Sequence, residues 1–203
     1  MISFGPEREG AAETVFRDAI LLALLGFVLI SVILLIHFNP EAKEADSEPP
    51  GNVIVEISWP AELNTDVDLW VEAPGDVPVG YSNKGSTRFN LLRDDLGHYE
   101  DPSGINYEVS YSRGIVAGEY VVNLHLYRNL APTSEIPVHV VVSAKPDVAA
   151  GANRLLETDV VLRHPGEEVT AARFRLTADG TLVQDSVHAR FKPLRATAVE
   201  TLR

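Results

Sequence analysis

An uncharged apolar run near the N-terminus constrains this chain more than any other feature. From Ala19 to Ile36 the sequence reads AILLALLGFVLISVILLI, which is 18 residues without a charged side chain. A helix that crosses the ~30 Å hydrocarbon core of a bilayer needs about 20 such residues. We therefore expect a transmembrane helix over residues 18–38, with the lipid bilayer as its partner.

A cleaved signal peptide is the main alternative for this run. Such a peptide has an apolar core of ~7–15 residues behind a basic N-terminal region. The leader here is acidic and contains Glu7, Glu9 and Glu13, and the apolar run is longer. Both features favour an uncleaved span.

The charges that flank the run predict its orientation. Arg8 and Arg17 precede it, and Lys43 is the nearby base that follows. Basic residues favour the cytoplasmic side. We expect residues 1–17 to be cytoplasmic, and the larger C-terminal part to be periplasmic at a bacterial inner membrane.

Asp18 lies at the N-terminal end of the apolar run, one helical turn after Thr14. Ionisable groups in membrane segments are costly and often mark ion or proton pathways. Alternatively, Arg17 and Asp18 mark the membrane boundary, where an acid near a helix N-terminus also complements the helix dipole. Position alone leaves both interpretations open.

The segment Phe16-Arg17-Asp18-Ala19-Ile20-Leu21-Leu22 and its continuation to Phe27 resembles the single helix of small stator subunits in proton-driven motors. These are the ExbD, TolR and MotB families. They share an aromatic or apolar residue two positions before an Asp, and then a Leu-rich helix. The resemblance covers roughly residues 10–40 and implies that Asp18 carries protons.

The same resemblance implies partners. It predicts a multi-pass proton-channel subunit of the ExbB, TolQ or MotA kind, with this chain as a homodimer inside the complex. Ala19, Ala23 and Gly26 lie roughly on one helix face. Small residues at this spacing permit close helix approach, although ordinary membrane helices contain them too.

Beyond the helix, Pro, Gly and acidic residues predict an extended linker over residues 39–52. From residue 53 to 203 the hydrophobic period is two, which is typical of strands. Nine runs predict strands: 53–59, 67–72, 87–92, 106–111, 120–127, 137–143, 158–163, 170–177 and 181–187. Many short strands separated by turns favour a β-sandwich. The predicted fold class is thus one N-terminal transmembrane helix plus a mostly-β periplasmic domain.

Within this domain, the segment Asp66-Val67-Asp68-Leu69-Trp70-Val71 runs on to Pro74-Gly75. It resembles the D-x-D-L-x-V…P-G signature of periplasmic β-sandwich modules of the YfaP-like and pre-peptidase types. The later run 118–124, GEYVVNL, resembles their G-x-Y-x-V strand. The resemblance implies a binding or structural module and no activity.

Asp66 and Asp68 alternate along a predicted strand, so both side chains fall on one face. Together with Asp94, Asp95 or Asn83 they offer oxygen ligands to calcium, the one cofactor this sequence suggests. Alternatively, the two acids cap the strand entry and face solvent. Calcium needs six or more oxygens, and the sequence identifies few.

Charge and composition exclude several classes of function. From Asn39 onward there are 25 Asp and Glu against 15 Lys and Arg, the wrong sign for a nucleic-acid-binding surface. The absence of cysteine excludes disulfides, thiolate metal sites and cysteine catalysis. Six histidines are scattered, and no hydrolase, zincin or P-loop motif occurs. We expect a protein that is not an enzyme.

These observations favour the small subunit of a motor driven by the proton motive force, with Asp18 as proton carrier. The outer domain then transmits or anchors force. The alternative is a membrane-tethered periplasmic module that recognises a glycan or an envelope protein.

Overall fold

The computed structural model describes residues 7–38, 51–97, 104–146 and 151–196. Within the N-terminal helix it describes side chains from Thr14 to Ile33. The chain divides between Ser47 and Glu48 into two compact units. Most of the predicted linker, residues 39–50, lies outside the described residues.

The first unit contains one long helix, α1, over Glu7–Phe38. Its apolar part, Thr14–Ile33, is 20 residues long and has no buried share. At 1.5 Å per residue this part is about 30 Å long, the thickness of a bilayer core. By length and composition it is able to cross a membrane, as a span or as a signal sequence.

The second unit is built from eight strands. They are β1 Val53–Ser58, β2 Thr65–Glu72, β3 Phe89–Arg93, β4 Tyr107–Ser112, β5 Gly118–Asn129, β6 Ile136–Ala144, β7 Asn153–Leu162 and β8 Glu168–Leu176. All strand pairs are antiparallel. One sheet has the order β3-β4-β1-β6-β7, and the other has β2-β5-β8.

The two sheets bury one shared apolar core, as the β-sandwich prediction required. Alternate residues of β1, β2, β5 and β6 supply it, because a period of two along each strand places one face inside. These residues are Val53, Val55 and Ile57 of β1, Val67, Leu69 and Val71 of β2, Val122, Leu124 and Leu126 of β5, and Val138, Val140 and Val142 of β6. The predicted fold class is confirmed as one apolar helix plus a mostly-β domain with two antiparallel sheets.

The ninth predicted strand, over residues 181–187, is wrong. Among the described residues this segment forms one isolated bridge, Leu182 with Leu176, and His188 just after it forms another with Arg173. A tight turn at Gly180, with φ of 83°, brings the chain back beside β8. Asp185 then adopts a φ of 60°, which strand geometry excludes. The segment therefore follows β8 without a continuous ladder.

Strand β4 presents a polar face to the interior, contrary to its apparent alternation. Glu108 pairs with Ile57 and Ser110 pairs with Val55, so these polar side chains point to the same side as the core residues of β1. Glu108 and Ser110 are 0% exposed, and Ser112 is 1% exposed. The interior near β4 is consequently hydrogen-bonded rather than purely apolar.

Candidate functional sites

Asp18 lies on α1 within the apolar part of the helix. It borders a shallow groove that also involves Leu21, Leu22 and Leu25. Spacings of three, four and seven residues place these side chains on one helix face. An apolar helix face with one carboxylate at its end is able to pack against another helix. The predicted site residue Asp18 is thus exposed beside three leucines of the helix.

Asp66 and Asp68 lie on β2, on the face opposite the core residues Val67 and Leu69. Each of the two acids is only 3% exposed. The interpretation that they face solvent is therefore wrong. Burial without a partner is costly for a carboxylate, so these two acids need hydrogen-bond donors or positive charges close by.

Glu108 reaches from β4 to the edge of β2 that faces away from β5, and it joins the two sheets. Its Oε2 accepts a hydrogen bond from the backbone N–H of Leu69 at 2.7 Å, and its Oε1 accepts one from the N–H of Asp95 at 3.0 Å. One carboxylate oxygen from each of Asp68, Asp94 and Glu108 lies within 4.8 Å of the others. We call Asp66, Asp68, Asp94, Asp95 and Glu108 the carboxylate cluster.

The loop after β3 closes the cluster from the outside. Asp95 holds this loop: its Oδ1 accepts from the N–H of Gly97, and its Oδ2 accepts from Arg93 and from the N–H of Tyr107. Gly97 has a φ of 69°, and a Cβ there would lie 2.6 Å from the carbonyl oxygen of Thr65. Only glycine allows this approach to the start of β2. The loop thereby places Asp94 next to Asp68 and Glu108.

His125 lies directly opposite Asp68 on β5. Its Nδ1 lies 2.6 Å from Oδ2 of Asp68, and the residue is 2% exposed. An ionised Asp68 accepts this hydrogen bond, which makes Nδ1 the protonated ring nitrogen. Burial raises the pKa of Asp68, while the hydrogen bond from His125 opposes the rise.

Burial and neighbouring carboxylates also shift the pKa values of Asp66 and Glu108. Burial, followed by the charge of Asp68, raises the pKa of Asp66 to about 7. Arg128 opposes this shift, but its Nη2 lies 3.9 Å from Oδ2 of Asp66, beyond hydrogen-bond distance. Burial raises the pKa of Glu108 well above its usual value, and the charges of Asp68 and Asp94 add to the rise. The raised pKa values of Asp66 and Glu108 thus reflect the burial and the crowding of carboxyl groups in the cluster.

Two carboxylate oxygens in the cluster have no hydrogen-bond partner among the described residues. These are Oδ1 of Asp66 and Oδ1 of Asp94. The Asp66 side chain is 4% exposed, and the Asp94 side chain is 18% exposed and forms an ion pair with Lys84 through its other oxygen, at 2.8 Å. Buried polar atoms nearly always have a hydrogen-bond partner, so a water molecule or an ion is the expected partner of each of these two oxygens.

The sequence identified part of this arrangement. Asp68 and Asp94, two of the predicted oxygen donors, lie together, and Asp66 adjoins them. Asn83 does not: its Nδ2 donates to the carbonyl of Pro78 at 2.7 Å and holds a turn elsewhere. The sequence did not identify Glu108 as part of the site. The one signal for it was a charged residue in the middle of a run that predicts a strand.

A second concave site lies on the outer face of the β2-β5-β8 sheet. A cavity of about 300 Å³ is lined by Trp70, Tyr81, Ser82, Glu168, Arg195 and Ala196. Tyr81 meets Trp70 edge to face, with ring centroids 5.5 Å apart. Oε1 of Glu168 accepts from Asn123 and from the N–H of Leu194. This anchors the C-terminal segment beside the cavity.

No family model, curated protein or solved structure matches this chain.

Proposed function

We propose that this protein is the small subunit of a motor driven by the proton motive force, and that Asp18 carries the protons. Its helix spans a bacterial inner membrane, with the N-terminus in the cytoplasm and the β-sandwich in the periplasm. The observation that carries the proposal is a carboxylate within a single apolar helix, beside Leu21, Leu22 and Leu25.

A passive membrane anchor has no need of this carboxylate. Placing an ionised carboxyl at the centre of a bilayer costs roughly 2.5–3.5 kcal/mol on insertion-based scales, and a position nearer the end of the apolar segment, such as that of Asp18, costs less. A multi-pass partner with polar groups facing Asp18 offsets that cost. If the partner exposes Asp18 alternately to each side, the carboxyl takes up a proton from one side and releases it to the other.

The outer unit suits a role in transmitting or anchoring force. It has its own core of buried side chains from both sheets, and it forms a compact unit separate from the helix unit. A domain with a continuous core resists deformation because protein interiors are close-packed. We propose that it bears the load in the cell envelope.

The partner is testable by purification. The full chain carrying a C-terminal affinity tag, extracted from its native membrane in mild detergent, should copurify with a multi-pass membrane protein of the ExbB, TolQ or MotA kind. Native mass spectrometry should find two copies of the tagged chain per complex. Recovery of the chain alone as a monomer, under conditions that preserve other membrane complexes, would contradict the proposal.

The second candidate function is a membrane-tethered binding module, which the cavity beside Trp70 and Tyr81 favours. Aromatic rings next to Glu168 and Arg195 suit a sugar, which needs both stacking and hydrogen bonds. The full chain in detergent should then sediment with purified envelope glycan. Arg195→Ala should weaken the binding, and Asp18→Asn should leave it unchanged. Failure of the wild-type chain to sediment removes this candidate.

A further inference from the structure

We propose that Asp68, Asp94 and Glu108 bind one calcium ion at the edge of β2 that faces away from β5. One oxygen from each lies within 4.8 Å of the other two. Two oxygens that ligate the same Ca²⁺ at about 2.4 Å are at most about 4.8 Å apart, and every pair among these three oxygens meets that limit. The inference is independent of the motor proposal, because it concerns the β-sandwich alone.

Glu108 is the residue that most requires a cation. Both of its oxygens accept backbone N–H groups, an arrangement that fits the ionised form. It is 0% exposed and lies beside two other carboxylates. A fully buried carboxyl is stable either protonated or beside an opposite charge, and because both oxygens of Glu108 already accept N–H groups, the ionised form beside a cation fits this place better. A divalent cation between the three groups supplies that charge.

An unpaired buried oxygen gives independent support. The Asp66 side chain lies on the same strand face as Asp68 and is 4% exposed. Its Oδ1 has no hydrogen-bond partner among the described residues. An oxygen in this position is suited to accept from a water molecule that ligates the ion. No described side chain or backbone N–H donates a hydrogen bond to this oxygen.

The donor chemistry selects the kind of ion. All three ligands are carboxylates, and the nearby His125 uses its Nδ1 to hold Asp68. Oxygen-only sites suit hard cations such as Ca²⁺ and Mg²⁺ rather than zinc or copper. Ca²⁺ accepts irregular geometry and six to eight oxygens, which three carboxylates and water molecules are able to supply. The backbone also fixes the carboxylates of Glu108 and Asp95 in place before any ion arrives.

Calcium binding to the full chain in detergent tests the proposal. After removal of metals with EDTA, equilibrium dialysis against radioactive calcium should find one bound ion per chain. Calcium at about a hundred times its dissociation constant should raise the Tm of the β-sandwich by about 5–10 °C. Magnesium at the same concentration should give a smaller shift.

Two variants and a matched control complete the experiment. Asp94→Asn and Glu108→Gln should each abolish the calcium-dependent shift. Asp159→Asn removes the same charge from a side chain that is 80% exposed, and should respond like the wild type. Asp94 lies in a loop with its side chain 18% exposed, so its variant remains informative if Glu108→Gln fails to fold.

Three results would overturn the proposal. One is the absence of bound calcium on the wild type at about 5 mM, above the 10⁻⁴–10⁻³ M range of weak extracellular sites. Another is wild-type calcium affinity in folded Asp94→Asn. The third is magnesium binding as tightly as calcium, which contradicts the assignment of the ion.

Discussion

Replacing Glu108 with alanine should destabilise the β-sandwich more than removal of any exposed acid. The Glu108 carboxylate satisfies two N–H groups, those of Leu69 and Asp95, and the first lies on the other sheet. Each buried donor left unpaired costs about 1–3 kcal/mol, so the two together cost about 2–6 kcal/mol. Loss of repulsion with Asp68 and Asp94 offsets part of this. We expect a net loss of about 2–4 kcal/mol in the free energy of unfolding.

Tryptophan fluorescence during urea unfolding measures this loss in the full chain. The chain has two tryptophans, Trp59 and Trp70, and both are buried in the β-sandwich. The signal therefore reports unfolding of this domain even when the helix remains in a micelle. The measurement should be made in EDTA, so that loss of a bound ion does not add to the effect.

Glu135→Ala is the matched control, because the Glu135 side chain is 69% exposed. It should change the free energy of unfolding by no more than about 0.5 kcal/mol. If Glu108→Ala also stays within about 0.5 kcal/mol of the wild type, the hydrogen bonds of Glu108 do not hold the two sheets together.

Three further predictions concern other parts of the β-sandwich. Leu194 is 0% exposed and packs with Trp70, so Leu194→Ala should lower the free energy of unfolding by about 2–3 kcal/mol in the same urea assay. A Cβ on Gly80 would lie 2.3 Å from Cδ2 of the Trp70 ring, so Gly80→Ala should cost about 1–3 kcal/mol and shift the tryptophan emission. The hydrogen bond from Arg173 lowers the pKa of Glu119, so this pair stabilises the fold above the unfolded-state pKa of glutamate and loses its effect as pH falls through the folded-state pKa. The stability difference between wild type and Glu119→Gln should therefore shrink as pH is lowered from 5 to 3, and a difference that grows contradicts this account.

Regular alternation made most of the fold predictable. In β1, β2, β5 and β6 every second residue is apolar and faces the other sheet, so local sequence and tertiary burial agree. The segment 181–187 also alternates, but Asp185 has positive φ and the turn at Gly180 precedes it. Backbone conformations of this kind depend on packing that a hydrophobic pattern does not encode.

The candidate site was predictable only in part, for a similar reason. A period of two places Asp66 and Asp68 on one face, but their burial depends on the loop that carries Asp94. Glu108 bonds to Leu69 across 39 residues of sequence, and its inward direction follows from its pairing with Ile57. The hydrophobic pattern of β4 predicts instead that Tyr107, Val109 and Tyr111 face the core and that Glu108 faces outward. Such long-range contacts are visible only in the folded chain.

Proton flux through the purified complex tests the central claim most directly. The full chain and its copurified multi-pass partner should be reconstituted in vesicles, and a pH-sensitive dye should report proton entry under an imposed potential. Asp18→Asn should reduce the flux to that of protein-free vesicles while the complex still assembles. Asp18→Glu, which keeps a carboxyl, should retain part of the flux, and Glu13→Gln, which precedes the apolar run, should conduct like the wild type. Unchanged flux in an assembled Asp18→Asn complex would show that Asp18 does not carry the protons.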